Sequence, residues 1–306
     1  MKKEMGYQTY FSITRMNRRE WQKRMLAGLA GLVWSESSLA RTAGFYAEAT
    51  HPGVNLGIQS YSLRDRPLEE AIEAMGQVGI RSCELWSGHL EPKGVRGAEL
   101  SEWRSRASLD EFTKVKQLFG RAGIALSAYS VGFGSEMTDE EINKVFLMAN
   151  ALSVKQITTS TTVEIVTRID RFAQKHKIRV GRHNHDKFED PNEISNTDSF
   201  QRALKGVSDY IAINLDIGHL VAANEDPVAF IKKYHKRILM LHVKDRKKNH
   251  GDNTRFGEGD TPIGAVLRLL RDRKFTFPAN IEYEYDGGDA VTEIKKCLAY
   301  CRQTLR

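Results

Sequence analysis

From Val54 onward, short apolar runs alternate with stretches in which apolar residues recur every three or four positions. Short runs rich in β-branched and aliphatic residues predict buried strands, and the three-to-four spacing predicts amphipathic helices. The runs are Val54–Ser60, Ser82–Trp86, Ile124–Tyr129, Val154–Thr159, Ile178–His183, Ile211–Asp216, Ile238–Val243 and Ala279–Glu284. Helical patterns separate them: Leu68–Val78, Leu109–Ala122, Thr138–Leu152, Val163–His176, Thr197–Val207, one entered at Asp226-Pro227, Pro262–Arg273 and Val291–Leu305. Gly79 and Gly123 stop the first two, Thr138 with Glu141 forms a capping box, and Pro227 suits a first helical turn. Residues 87–108 and 246–260 are polar and glycine-containing and predict long loops. Eight strands alternating with eight helices is the pattern of a (β/α)8 TIM barrel. An open doubly wound sheet would place a glycine-rich phosphate turn after the first strand, where Tyr61-Ser62-Leu63-Arg64-Asp65 stands instead. No linker or internal repeat divides residues 43–306, which read as a single domain.

Four of the runs end on groups that a buried strand accepts only with compensation: His183, Asp216, His242 and Glu282. In such barrels the strands' carboxyl ends form the active site. Carboxylate oxygens with imidazole nitrogens suit one divalent metal ion, Mn, Zn, Co or Mg. Alternation puts His185 on the face of His183 and Glu284 on the face of Glu282, and His183 and Glu282 are favoured as ligands. His219, at the start of the loop after Asp216, can hold a substrate hydroxyl or hydrogen-bond a metal ligand. Lys244 shares the face of His242 and can steady an oxyanion or an enediolate. Proton transfer falls to Glu282, or to His185 where it is free of metal. Trp86 and Tyr129, at strand ends, are candidates for a sugar pocket, and Glu284 is a further substrate-binding candidate.

The chain carries a formal charge of +7, but residues 1–42 hold +5 of it, leaving +2 for residues 43–306. That distribution argues against a nucleic-acid partner. The leader itself is informative. Arg18-Arg19-Glu20-Trp21-Gln22-Lys23 precedes the apolar run Met25–Trp34 and a small-residue site at Ser38-Leu39-Ala40. This predicts a twin-arginine export signal over residues 1–42 and a periplasmic protein, with a cytoplasmic protein carrying a packed N-terminal helix as the alternative. The run is too short for stable membrane insertion. Export also makes a non-phosphorylated substrate the expectation. Cys83, Cys297 and Cys301 make no disulfide framework.

The blocks Leu215-Asp216-Ile217-Gly218-His219, Leu241-His242-Val243-Lys244-Asp245, Gly257-Glu258-Gly259 and Ile281-Glu282-Tyr283-Glu284 come in an order and spacing that resembles a known group. From Val54 to the C-terminus the chain resembles the xylose isomerase-like barrel proteins, the sugar phosphate isomerase/epimerase group. The resemblance implies a divalent metal held by an acidic residue after strand five, an Asp after strand six, a His after strand seven and a Glu after strand eight. The last three carry over to Asp216, His242 and Glu282, and the group's His three residues after the Asp matches His219. At strand five the chain departs. Keto-sugar epimerases have a Glu there that is both ligand and acid/base, whereas this chain reads His183-Asn184-His185-Asp186. That departure weighs against a symmetrical two-Glu relay and keeps the group's dehydratases and lyases open. The related abasic-site endonucleases need a larger set of ligands for three zincs, and Tyr129 and the low charge of residues 43–306 speak against them. The expected function is a divalent-metal-dependent isomerase or epimerase acting on a non-phosphorylated sugar or keto-sugar through an enediolate. The alternatives are a lyase or dehydratase on a keto-sugar or 3-keto-glycoside, and a non-catalytic sugar-binding barrel.

Overall fold

Strands buried on both faces need apolar residues at successive positions, which is why the runs above lack a clean alternation. In the computed structural model, which describes residues 53–306 apart from Phe188, eight such runs form strands. They are β1 (Leu56–Gln59), β2 (Ser82–Trp86), β3 (Ala125–Ser130), β4 (Gln156–Thr159), β5 (Arg179–His183), β6 (Ile211–Asp216), β7 (Ile238–Val243) and β8 (Ala279–Ile281). Each pairs in parallel with the next, and β8 pairs with β1 to close the barrel.

The helices begin and end where their capping residues dictate. Leu68–Val78 stops at Gly79, whose φ of 83° is the left-handed conformation that glycine adopts without penalty. Leu68, Ala71, Ile72 and Met75 on one stripe of this helix are buried in the core. Asp139–Ala151 opens with the capping box of Thr138 and Glu141.

Three stretches differ from the sequence pattern. Residues 87–108 contain a helix, Gly97–Arg106, held by a buried ion pair together with Trp103 packed against the core. Its Arg104 is buried, pairs with Glu91 at 2.7 Å and donates to the Gly132 carbonyl at 3.1 Å. After Asp216 the chain enters the short helix Ile217–Ala222 rather than a loop, with Asp216 as its N-cap. The eighth strand ends at Ile281, which leaves Glu282 and Glu284 in the segment just beyond it.

The loop after β7 is pinned by one carboxylate. Asp245–Arg246 pairs with Asn253–Thr254 in an antiparallel ribbon. Asp245 accepts hydrogen bonds from the backbone N–H of Gly257 (2.7 Å), Gly259 (3.1 Å) and Thr261 (3.1 Å). A Cβ at Gly259 would lie 2.0 Å from Asp245 Oδ1, so the close approach requires glycine there. No helix among the described residues is long and apolar enough to cross a membrane. The leader expected over residues 1–42 lies outside the described residues.

Candidate metal centre and its cavity

His183 is the last residue of β5 and Asp216 the last of β6; His242 lies one residue before the end of β7, and Glu282 directly follows β8. Parallel register aligns them: Asp216 is level with His242, and His242 is level with Asn280, two residues before Glu282. One ligand atom from each of His183, Asp216, His242 and Glu282 lies within 4.8 Å of the others, and all four residues are buried. As N-cap, Asp216 uses Oδ1 to accept the His219 N–H at 2.8 Å. Its Oδ2 is left for the cluster.

Opposed charges are packed tightly here. The Lys244 ammonium lies 3.1 Å from Asp216 Oδ2 and 3.0 Å from Glu282 Oε2, and makes its shortest contact with Glu284. Burial favours the neutral amine, but Asp216, Glu282 and Glu284 outweigh it and hold the Lys244 pKa above its ordinary value. Burial likewise favours protonated Glu282, and Lys244 and His242 reverse that, keeping it well below the usual carboxylate range. His242 Nδ1 lies 3.1 Å from Glu282 Oε2 and Nε2 lies 2.7 Å from Glu84 Oε2. Burial disfavours the imidazolium, yet these two carboxylates raise its pKa well above the ordinary value. His183 goes the other way: burial, with His242 and His185 beside it, keeps its ring neutral.

Two atoms test whether this set fits a cation. Among the described residues, His183 Nδ1 is buried with no hydrogen-bond partner. Asp216 Oδ2 also lacks a hydrogen bond; Lys244 is within ion-pair distance of it but not in hydrogen-bonding geometry. Buried lone pairs left unsatisfied are costly, and a neutral imidazole with two carboxylates is a donor set that a divalent ion satisfies. With nitrogen and oxygen donors and no thiolate, the set suits Mn, Zn, Co or Mg without selecting among them.

The cluster opens into a cavity of about 430 Å³. Its lining includes His183, His242 and Glu282 from the cluster, and also His185, His219, Lys244 and Glu284. Tyr61 and Trp86 form an aromatic wall, their ring centroids 4.9 Å apart and nearly perpendicular. His185 Nδ1 lies 3.3 Å from Glu193 Oε2, which leaves Nε2 unclaimed by that carboxylate. Burial, with His219 nearby, lowers the His185 pKa. Arg246 donates to His219 Nδ1 at 2.6 Å, and Asp186 Oδ1 lies 3.3 Å from the same nitrogen.

Tyr129 is corrected by the structure. It has no exposed surface, packs edge-on against Phe112 at 6.2 Å and does not line the cavity. Its place near the end of β3 pointed to the pocket, but its ring turns into the core outside the barrel. Sequence reasoning also passed over Glu84, Asn214, Asn280 and Glu193. A charged residue inside the apolar run Ser82–Trp86 was the available signal for Glu84.

Comparison with solved structures gives the same fold. A sugar phosphate isomerase/epimerase from Parabacteroides distasonis is 20% identical with a TM-score of 0.61, covering 83% of this chain and 95% of that one. The probable 3-DHS dehydratase AsbF, involved in petrobactin synthesis in Bacillus anthracis, is 15% identical with a TM-score of 0.61, covering 79% of this chain and 96% of that one. The IOLI protein, with a bound zinc atom, is 17% identical with a TM-score of 0.62, covering 82% and 98%. No curated protein matches the chain. The family model for the xylose isomerase-like TIM barrel matches residues 38–304. The chain therefore belongs to the xylose isomerase-like TIM barrel family.

Proposed function

We propose that this barrel is a divalent-metal-dependent isomerase or epimerase acting on a non-phosphorylated sugar or keto-sugar. The observation that carries the reading is a buried His-Asp-His-Glu cluster at the floor of a polar cavity with an aromatic wall. His183, Asp216, His242 and Glu282 would hold a divalent ion, whose Lewis acidity toward a substrate carbonyl and the neighbouring hydroxyl would acidify the C–H on the hydroxyl-bearing carbon. Trp86, with Tyr61, holds an apolar face of the sugar. His219 and Glu284 hydrogen-bond its hydroxyls. His185, steadied by Glu193, accepts the proton through Nε2, or Glu282 does so from the floor. Lys244 stabilises negative charge on the enediolate oxygen. Return of the proton to the adjacent carbon isomerises the sugar, and return to the opposite face epimerises it. Among the described lining residues Lys244 is the lysine or arginine of the cavity, and it already faces three carboxylates, so a phosphate group finds no free cation. The leader supports export of the folded, metal-loaded protein to the periplasm.

One observation favours a second reading, elimination. β5 ends in His183 and supplies no carboxylate opposite Glu282, so His185 is suited to remove a proton in one direction. Proton loss beside a carbonyl with departure of a β-substituent is then a lyase or dehydratase reaction, and one structural relative is described as a dehydratase. Incubation of candidate sugars and 3-keto-glycosides in D2O separates these readings. Isomerisation or epimerisation incorporates deuterium with the carbon skeleton and its substituents retained. Elimination releases water or an alcohol. No exchange into any bound sugar would contradict both and leave a binding barrel.

A further inference from the structure

Glu84 is fully buried inside the barrel, on β2, and none of the chemistry above uses it. Its Oε1 accepts a hydrogen bond from Thr158 at 2.5 Å. Its Oε2 faces Asn280 Nδ2 at 2.9 Å and His242 Nε2 at 2.7 Å. The arrangement reaches across β1 and β8, and the backbone makes room for it. A Cβ at Gly57 would lie 2.3 Å from Asn280 Oδ1, so glycine leaves the space that Asn280 fills beside Glu84. A carboxylate removed from water is costly unless its oxygens are opposed by donors, preferably a charged one. Thr158 and Asn280 are neutral. Among the described residues, the His242 ring is the one donor on Glu84 that can carry a charge.

The contact also decides which nitrogen of His242 holds a proton. A carboxylate at 2.7 Å is an acceptor, so Nε2 donates. Asn214 Nδ2 lies 3.1 Å from the same nitrogen, while Asn214 Oδ1 has no partner. A half-turn of that amide would set its oxygen toward Nε2 as a second acceptor. Nδ1 faces Glu282 in the cluster and is the nitrogen left with a lone pair once a metal displaces its proton.

We infer that Glu84 is a positioning residue of the metal centre: it fixes His242 with its proton on Nε2 and turns Nδ1 to the ion. The inference rests on the metal-site reading above. A carboxylate behind a liganding imidazole fixes its tautomer and strengthens it as a donor, and loss of such a partner weakens metal binding by about 10–100-fold.

The test uses the full chain and Glu84→Gln, with Zn²⁺ and Co²⁺ affinities measured by competition against a chromophoric chelator. Glu84→Gln is expected to raise Kd by about 10–100-fold. In the Zn²⁺-loaded parent, labelled at histidine nitrogens, NMR should find metal on Nδ1 of His242 and a slowly exchanging proton on Nε2. That proton should exchange faster in Glu84→Gln, a change that a purely structural role would not produce. A Kd within about twofold of the parent overturns the role of Glu84 while leaving the metal site standing. So does metal on Nε2 in the parent, a measurement that decides the matter even where the variant does not fold. A parent that binds neither ion overturns the metal reading and this inference with it.

Discussion

Lys244 and a divalent cation draw on the same oxygens. The ammonium touches Asp216 Oδ2 and Glu282 Oε2, both in the candidate ligand set. Lys244→Met should therefore destabilise the metal-free protein by about 3–5 kcal/mol, the usual cost of stranding a buried charge. Saturating Zn²⁺ should recover much of that loss, as read by urea denaturation with and without the ion. Equal losses in both forms would contradict shared ligation. On the aromatic wall, Trp86→Ala should raise KM for the substrate about tenfold with a smaller change in kcat, because it removes an aromatic face and no proton carrier. At this scale the sequence was partly legible. A strand-end Asp, His or Glu announces itself because little else explains it there. Tyr129 misled because a strand-end aromatic can turn either way, and a single-residue shift in the strand's course decides which. Glu84 went unread because its partners lie on strands distant in the chain.

The loops that follow β5 and β7 are tied together by Asp186, which reaches His219 at 3.3 Å and Arg246 at 3.0 Å. His219, then Arg246, beside it hold the Asp186 carboxyl well below the usual range. A folded-state pKa below the unfolded one means that the group's contribution is present above the unfolded pKa and is lost as pH falls through the folded one. The stability difference between the parent and Asp186→Asn should thus be constant above about pH 5 and shrink below about pH 4. Urea denaturation at a series of pH values checks this, and a difference that widens in acid would contradict it. Asp245 does comparable work within its own loop. Asp245→Ala strands three backbone N–H groups, and hydrogen exchange at Gly257, Gly259 and Thr261 should accelerate by at least about tenfold. The Gly257-Glu258-Gly259 block was visible in the sequence; the carboxylate it encloses was not. Elements with apolar stripes were legible, down to the bounds of Leu68–Val78. The helix Gly97–Arg106 was not, because the Arg104–Glu91 ion pair and Trp103 alone are too few contacts to leave an apolar period to read.

For the whole molecule, eight buried runs separated by eight helical patterns left few topologies open, and the closed parallel barrel followed. Closure then brings the ends of β5, β6, β7 and β8 side by side, which is how residues from His183 to Glu282 come to share one site. An ion that joins four strand ends should stabilise the entire barrel. At a hundredfold excess over Kd the gain is about 2.7 kcal/mol, and removal by a chelator should lower Tm by roughly 5–10 °C. The most direct test of the central claim is metal content by mass spectrometry, on the purified full chain beside an Asp216→Ala, His242→Ala double variant shown by circular dichroism to be folded. The parent should hold about one equivalent of a divalent metal and the variant none. A parent that holds none, even after incubation with Mn²⁺, Co²⁺ or Zn²⁺, would contradict a metal centre at these residues.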